Sequence, residues 1–206
     1  MDYKLLFIFI EGNDDKRFFE SVVEPFLRER YSEITFYKYA KKNKKIKASF
    51  INSINSMKAD YICVGDIDEF PCITTKKEKL TKDFGKKITV DTIAVVIKEM
   101  EGWYLAGLDK KASKKIGIRE KIGTTDNITK ERFNQLIPKQ MPRPVFMQKI
   151  LENYDVELAE GKNRSFGYFL NKWMNDRQQK RVTDNHGQIR EDNRDGKAQR
   201  LPMELL

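Results

Sequence analysis

Cysteine is nearly absent: Cys63 and Cys72 are the two in 206 residues, and they form no CxxC pair. That excludes a disulfide-built secreted domain and a cysteine zinc cluster, and makes a reducing cytoplasm the expected compartment. Histidine is scarcer still. His186 stands alone in a polar stretch and reads as a surface residue. Long apolar runs are missing too: the first, Leu5 to Ile10, ends directly in Glu11-Gly12-Asn13-Asp14-Asp15. It is too short for a signal peptide's apolar segment and far below the about 18 residues of a membrane span, so no membrane partner is expected. No heptad, glycine period or longer internal repeat occurs, and aromatics reach 11%. Coiled coil, collagen and wholesale disorder are therefore excluded. The chain also lacks a GxxxxGK[ST] phosphate loop, and with it that kind of ATP site.

What the chain has in excess is base: 40 Lys+Arg against 31 Asp+Glu, a net charge of +9. The surplus is concentrated. Lys38, Lys41, Lys42, Lys44, Lys45, Lys47 and Lys58 lie between Phe36 and Lys58 with no acid among them. Residues 76–87 carry six lysines and two acids, and residues 109–121 six Lys+Arg and two acids. One such run is ordinarily a solvated face. Three of them favour a phosphate backbone as partner, with Lys41, Lys42, Lys44, Lys45 and Lys47 as its first candidates.

The hydrophobic pattern predicts alternating strands and helices over the first hundred residues. Residues 3–10 read as a strand buried on both faces, followed by a turn at Gly12 and a helix whose stripe includes Phe18, Phe19, Val22 and Val23. Pro25 should kink that helix. Strands follow at 34–40, 60–65 and 88–97, with helices at about 45–57 and 73–84. This pattern predicts an α/β fold with a mostly parallel four-stranded sheet and helices on both faces. From Trp103 onward only helical patterns recur, at 103–117, 129–137, 145–154 and 165–175. Three parts are expected: an α/β domain over 1–105, a helical extension packed on it over 106–175, and a polar, flexible tail over 176–206.

Carboxylates stand just past two of the apolar strands. Glu11 follows the first, with Asp15 four residues on, and Asp66 and Asp68 follow the third. In a parallel sheet those ends share the edge at which α/β proteins bind ligands. Two residues apart on extended backbone, Asp66 and Asp68 should point the same way. Acids converging there repel one another unless protonated or bridged by a cation, and oxygen ligands suit Mg²⁺ or Mn²⁺, as one ion or two. Asp15 reads equally well as first-turn helix charge, and Asp14 as solvent-facing. Trp103, Tyr104, Leu105 and the Phe166–Trp173 stripe read as core, and Cys63 as an inert buried thiol.

An apolar strand, Glu11-Gly12-x-x-Asp15-x-x-Phe18-Phe19, and a later strand ending in Asp66-x-Asp68 together resemble the Toprim domain. The acid four residues after the Glu is most similar to the overcoming-lysogenization-defect (OLD) nucleases. Glu101-Gly102-Trp103-Tyr104-Leu105 resembles a segment of small stand-alone RloB-like proteins. The resemblance covers about residues 3–105. It implies a Rossmann-like fold and a metal-dependent nuclease in which Glu11, Asp66 and Asp68 are catalytic. Glu11, Asp15, Asp66, Asp68 and Glu101 hold metal, with Glu99 as substitute for Glu101 and Lys98 near enough to meet a phosphate. It also implies DNA in preference to RNA, a role in phage defence or repair, and an ATPase encoded on a separate chain as partner. Two other readings remain open: a nucleic-acid-binding subunit without catalysis, and a DxD nucleotide-sugar transferase. The latter gives Glu11-Gly12 no role. A haloacid-dehalogenase-like phosphatase fits less well, since Phe70 stands where Thr or Val is usual and its DxD belongs on the first strand.

Overall fold

The computed structural model describes residues 3–174; the expected tail over 176–206 and His186 lie outside the described residues. Four strands form one parallel sheet in the order β2-β1-β3-β4. β1 (Leu5–Ile10) is central and pairs with β2 (Glu33–Lys38) from Leu5↔Glu33 to Ile10↔Lys38. On its other side it pairs with β3 (Asp60–Asp66) from Leu6↔Asp60 to Phe9↔Cys63. β4 (Ile93–Val96) adds to β3, ending at Asp66↔Val96. The continuous apolar run of β1 follows from this position, because both faces are covered. Leu6, Ile8 and Ile10 join one core with Phe18, Phe19 and Trp103. Phe9 and Cys63 face the other, with Ile51, Leu80 and Phe84. Each fully buried large side chain of this kind contributes about 1.5–3 kcal/mol.

The first crossover is a single helical run in three pieces, α1 (Asn13–Phe18), a π-helical turn at Phe19–Val23 and α2 (Glu24–Leu27). The expected kink at Pro25 is realised as that π turn, closed by Glu24 N–H donating to the Phe19 carbonyl. Proline lacks an N–H and its ring crowds the carbonyl four residues back, so widening the preceding turn relieves both. α3 (Lys44–Ser56) and α4 (Ile73–Asp83) cover the opposite face. The strand expected over 88–97 is shorter: Val90–Thr92 form a 3₁₀ turn. Thr92 Oγ1 donates to the Thr89 carbonyl at 2.8 Å, a local bond that competes with sheet pairing.

Among the described residues six helices follow: α5 (Met100–Ala106), α6 (Lys110–Lys115), α7 (Lys130–Leu136), α8 (Arg143–Leu151), α9 (Val156–Lys162) and α10 (Arg164–Trp173). Where one helix is expected over 103–117 there are two. The chain breaks at Gly107, where an added Cβ would lie 2.5 Å from the Tyr154 ring, and Asp109 caps α6 through Ala112 N–H at 2.6 Å. α9 has no counterpart in the sequence expectations; Asp155 caps it through Leu158 N–H at 2.9 Å. Trp103, Phe133, Phe146, Phe166 and Phe169 are all buried in the core that contains Leu6 and Ile8, so residues 106–174 share their apolar core with the sheet. Among the described residues no helix is long and apolar enough to cross a membrane.

Candidate functional site

Because all four strands run parallel, the segments that leave them gather at one edge. Glu11 leaves β1, Tyr39 leaves β2, Asp66 closes β3, and the turn after β4 leads into α5. A cavity of 260 Å³ opens there, lined by Glu11, Asp14, Asp15, Asp66, Glu101 and Lys130 among others. Four of the five expected metal ligands are thus brought together by topology.

Local chemistry holds each acid differently. Asp15 Oδ2 accepts from the backbone N–H of Glu11 at 2.8 Å and of Gly12 at 2.9 Å, closing the start of α1 as a capping residue. Its other oxygen remains for a ligand. Burial pushes the Asp15 carboxyl up, the two N–H bonds pull it back, and Glu101 and Asp14 raise it further. Glu11 Oε1 accepts from Tyr39 Oη at 2.9 Å, and Lys76 Nζ stands 3.9 Å away. Burial again raises the carboxyl, against Tyr39 and Lys76, which lower it. Gly65 makes this contact possible: a Cβ there would lie 2.8 Å from Tyr39 Oη and 3.1 Å from Glu11 Oε1.

Asp66 differs from its neighbours. Among the described residues its half-buried carboxylate makes no hydrogen bond and no ion pair. Burial, then Asp15, Glu11, Glu101 and Asp68 in that order, push its pKa up to about 9. A carboxyl this far from its ordinary value is protonated at neutral pH or is waiting for a cation.

Asp68 does not share the pocket. β3 ends at Asp66, and Asp68 takes a left-handed φ of 52° in the following turn, so the same-side expectation fails with the extended backbone it assumed. Its half-exposed side chain meets Lys76 Nζ at 2.5 Å. Asp14, expected in solvent, lines the cavity and is held by Arg17 at 2.8 Å and Arg143 at 3.3 Å. Glu101 is buried on the first turn of α5, with Oε1 2.6 Å from Arg143 Nη2. Glu99 turns away to accept from the backbone N–H of Lys130.

The lysines divide. Lys41, Lys42, Lys44 and Lys45 are exposed in the β2–α3 loop and the first turn of α3, which rise from the same carboxyl edge. Lys47 is not a surface lysine. It is buried, its ammonium 5.3 Å from the Tyr39 ring and 5.5 Å from Phe84. Lys98 is exposed, with a φ of 63°, and lies outside the cavity lining. The cation beside Glu11 is Lys76, buried on the first turn of α4 and missed by sequence reasoning. Its one sequence signal is a place eight residues after Asp68, where α4 returns to the sheet edge. Tyr39 and Arg143 are missed as well, and neither carries a local motif. Trp103 and Tyr104 are core, as expected; Trp103 Nε1 donates to Ser165 Oγ at 2.8 Å.

Among the described residues no three acids, histidines or cysteines form a ready-made ligand set around one point. Mg²⁺ requires less: one or two carboxylates, with water completing the octahedron. Asp66 without a partner, the second oxygen of Asp15, and Glu11 fit that demand in charge and in donor type.

No family model matches the chain, and no curated protein matches it. Among solved structures it is similar to the C-terminal region of the Burkholderia pseudomallei OLD protein, at 16% identity and a TM-score of 0.47. The match covers 78% of this chain and 94% of that one. A likeness this loose carries no argument about chemistry, which rests on the residues themselves.

Proposed function

We propose that this chain is a Toprim-type nuclease that hydrolyses nucleic-acid phosphodiesters with Mg²⁺ or Mn²⁺. The observation that carries the reading is Asp66: a half-buried carboxylate with no protein partner among the described residues, at the carboxyl edge of a parallel sheet, lining a cavity with further acids. Asp66, Asp15 and Glu11 are the residues that would hold the ion. When bound, such an ion polarises a phosphoryl oxygen and lowers the pKa of a coordinated water.

The chain's own residues supply the remaining parts. Tyr39 and Lys76 fix Glu11 from two sides, so that its carboxylate keeps one orientation toward the cavity and can take a proton from an attacking water. Lys76 also anchors Asp68. Lys41, Lys42, Lys44 and Lys45 surround the start of α3, a helix with no acid in its first turn. Cations there oppose the helix dipole, and a bound phosphate backbone relieves that conflict. DNA is the favoured polymer, and an ATPase on another chain the favoured partner.

The deciding assay incubates plasmid, single-stranded DNA and RNA with the full chain in Mg²⁺ or Mn²⁺, beside Glu11→Gln and Asp66→Asn. Cleavage by the wild type that is lost in both variants supports the nuclease. Salt-dependent binding with no cleavage by any form identifies a binding subunit instead. Hydrolysis of a nucleotide-sugar with nucleic acid untouched refutes the proposal.

A further inference from the structure

Around the acidic cavity the protein answers its carboxylates, Asp66 excepted, with donors of its own, and the most fully engaged of these is Arg143. It opens α8 and its side chain is 22% exposed. Nη2 lies 2.6 Å from Glu101 Oε1, and both Nη2 and Nε lie 3.3 Å from Asp14 Oδ2. Nη1 donates to Asn134 Oδ1, and the guanidinium stacks 4.9 Å from the centroid of the Phe133 ring. All three nitrogens and one face are therefore occupied. Pro142 and Pro144 bracket the residue, and their locked φ angles restrict how far the backbone can carry it away. An ordinary surface ion pair has none of this bracing.

We propose that Arg143 is a built-in counter-cation standing where a second metal ion would have to bind, so that the cavity takes one divalent ion and not two. The proposal rests on the metal-dependent reading above and specifies its stoichiometry. Glu101 and Asp14 are the acids that a second ion would recruit, and both are already paired with the same guanidinium. An ion placed on Glu101 would also lie against that fixed positive charge, which repels it directly. The single ion falls instead to Asp66 with Asp15 and Glu11, none of which Arg143 touches. Unlike a metal, the arginine cannot be chelated away. The positive charge on this side of the cavity is therefore a fixed part of the chain.

The test counts Mn²⁺ bound to the full chain, by calorimetry and by the electron-paramagnetic signal of free Mn²⁺. The variants are Arg143→Gln, Arg143→Lys, Glu101→Gln and the Arg143→Gln/Glu101→Gln pair, each checked for folding by circular dichroism. One ion is expected in the wild type and in Arg143→Lys, which keeps the charge. Two are expected in Arg143→Gln, which frees Glu101, and one again in the double variant. Glu101→Gln alone should leave Mn²⁺ affinity within about threefold of wild type, whereas loss of a true ligand lowers it at least tenfold. Two ions in the wild type, an unchanged count in folded Arg143→Gln, or a tenfold loss in Glu101→Gln overturns the proposal. Should Arg143→Gln fail to fold, the wild-type count and Glu101→Gln still decide it. A wild type that binds no Mn²⁺ sinks the metal reading itself; whether Arg143→Gln then gains an ion decides this inference separately.

Discussion

Tyr39 Oη lies 2.9 Å from Glu11 Oε1 and 2.9 Å from the carbonyl of Val64, so one hydroxyl proton serves two acceptors in turn. The contact joins the ends of β1 and β2 across the sheet edge, over Gly65. It ties the orientation of the candidate base to the core, because Tyr39 is buried and packs on Phe84.

Tyr39→Phe therefore removes a bond that favours ionised Glu11 and should raise the Glu11 pKa further. The acid limb of the cleavage pH profile should move to higher pH, while stability falls by about 1 kcal/mol. A pH–rate profile beside urea unfolding checks both; an unmoved acid limb refutes the coupling.

Gly65→Ala puts a Cβ 2.8 Å from Tyr39 Oη, closer than real Cβ contacts allow. Tyr39 must shift and release Glu11. A loss of about 1–3 kcal/mol in urea unfolding is expected, with the same pH shift as Tyr39→Phe. Wild-type stability in the variant would show that the edge has slack.

Asp66 sets a pH dependence with a definite sign. Its pKa is raised on folding to about 9, so between roughly pH 4 and pH 9 the folded state holds a proton that the unfolded chain has lost. Metal-free stability should thus fall as pH rises through that window, and Glu11 and Asp15 add to it in the same direction. Asp66→Asn should stabilise the metal-free chain at pH 8 by about 1 kcal/mol or more, a rise of about 2–4 °C per kcal/mol in melting temperature. The same variant should lose the stabilisation that Mg²⁺ gives the wild type, about 2.7 kcal/mol at a hundredfold excess over Kd. Calorimetric melting across pH, with and without Mg²⁺, is the measurement. An Asp66→Asn protein less stable than wild type at pH 8 contradicts the prediction.

Lys47 and its exposed neighbours should separate by phenotype. Replacing Lys41, Lys42, Lys44 and Lys45 with Gln should weaken DNA binding and flatten its salt dependence, by about 0.9 in the log–log slope for each phosphate left without its lysine. Stability should barely move. Lys47→Gln, by contrast, removes an ammonium packed on Tyr39 and Phe84 and should cost about 1–2 kcal/mol of stability with little change in salt slope. Fluorescence anisotropy against salt, paired with urea unfolding, tests the division; equal slopes for all variants would remove these lysines from the interface.

Much of the fold is legible because its signals are local. Leu5 to Ile10 are continuously apolar since β1 is covered on both sides, and the alternation of strands and helices dictates a parallel sheet. Errors fall where tertiary contacts override the pattern. One helix ends at Gly107, whose missing Cβ leaves room for the Tyr154 ring, and residues 90–92 turn where Thr92 bonds back to Thr89. The pairing of Asp66 with Asp68 fails for a similar reason, since Asp68 itself turns left-handed just past the end of the strand.

The sequence by itself determined that acids would stand at the ends of apolar strands, and that lysines would crowd the loops beside them. Strand polarity is enough for that, since every parallel strand delivers its last residue to the same edge. Only the tertiary structure decided which acids are free to act. Glu11 meets Tyr39 from 28 residues away, Glu101 meets Arg143 from 42, and Asp14 meets Arg143 from 129. Periodicity reports what happens within a few residues, and no local pattern encodes partners at such separations. These distant donors answer Glu11, Glu101 and Asp14, the start of α1 answers Asp15, and Asp66 is left open to a cation.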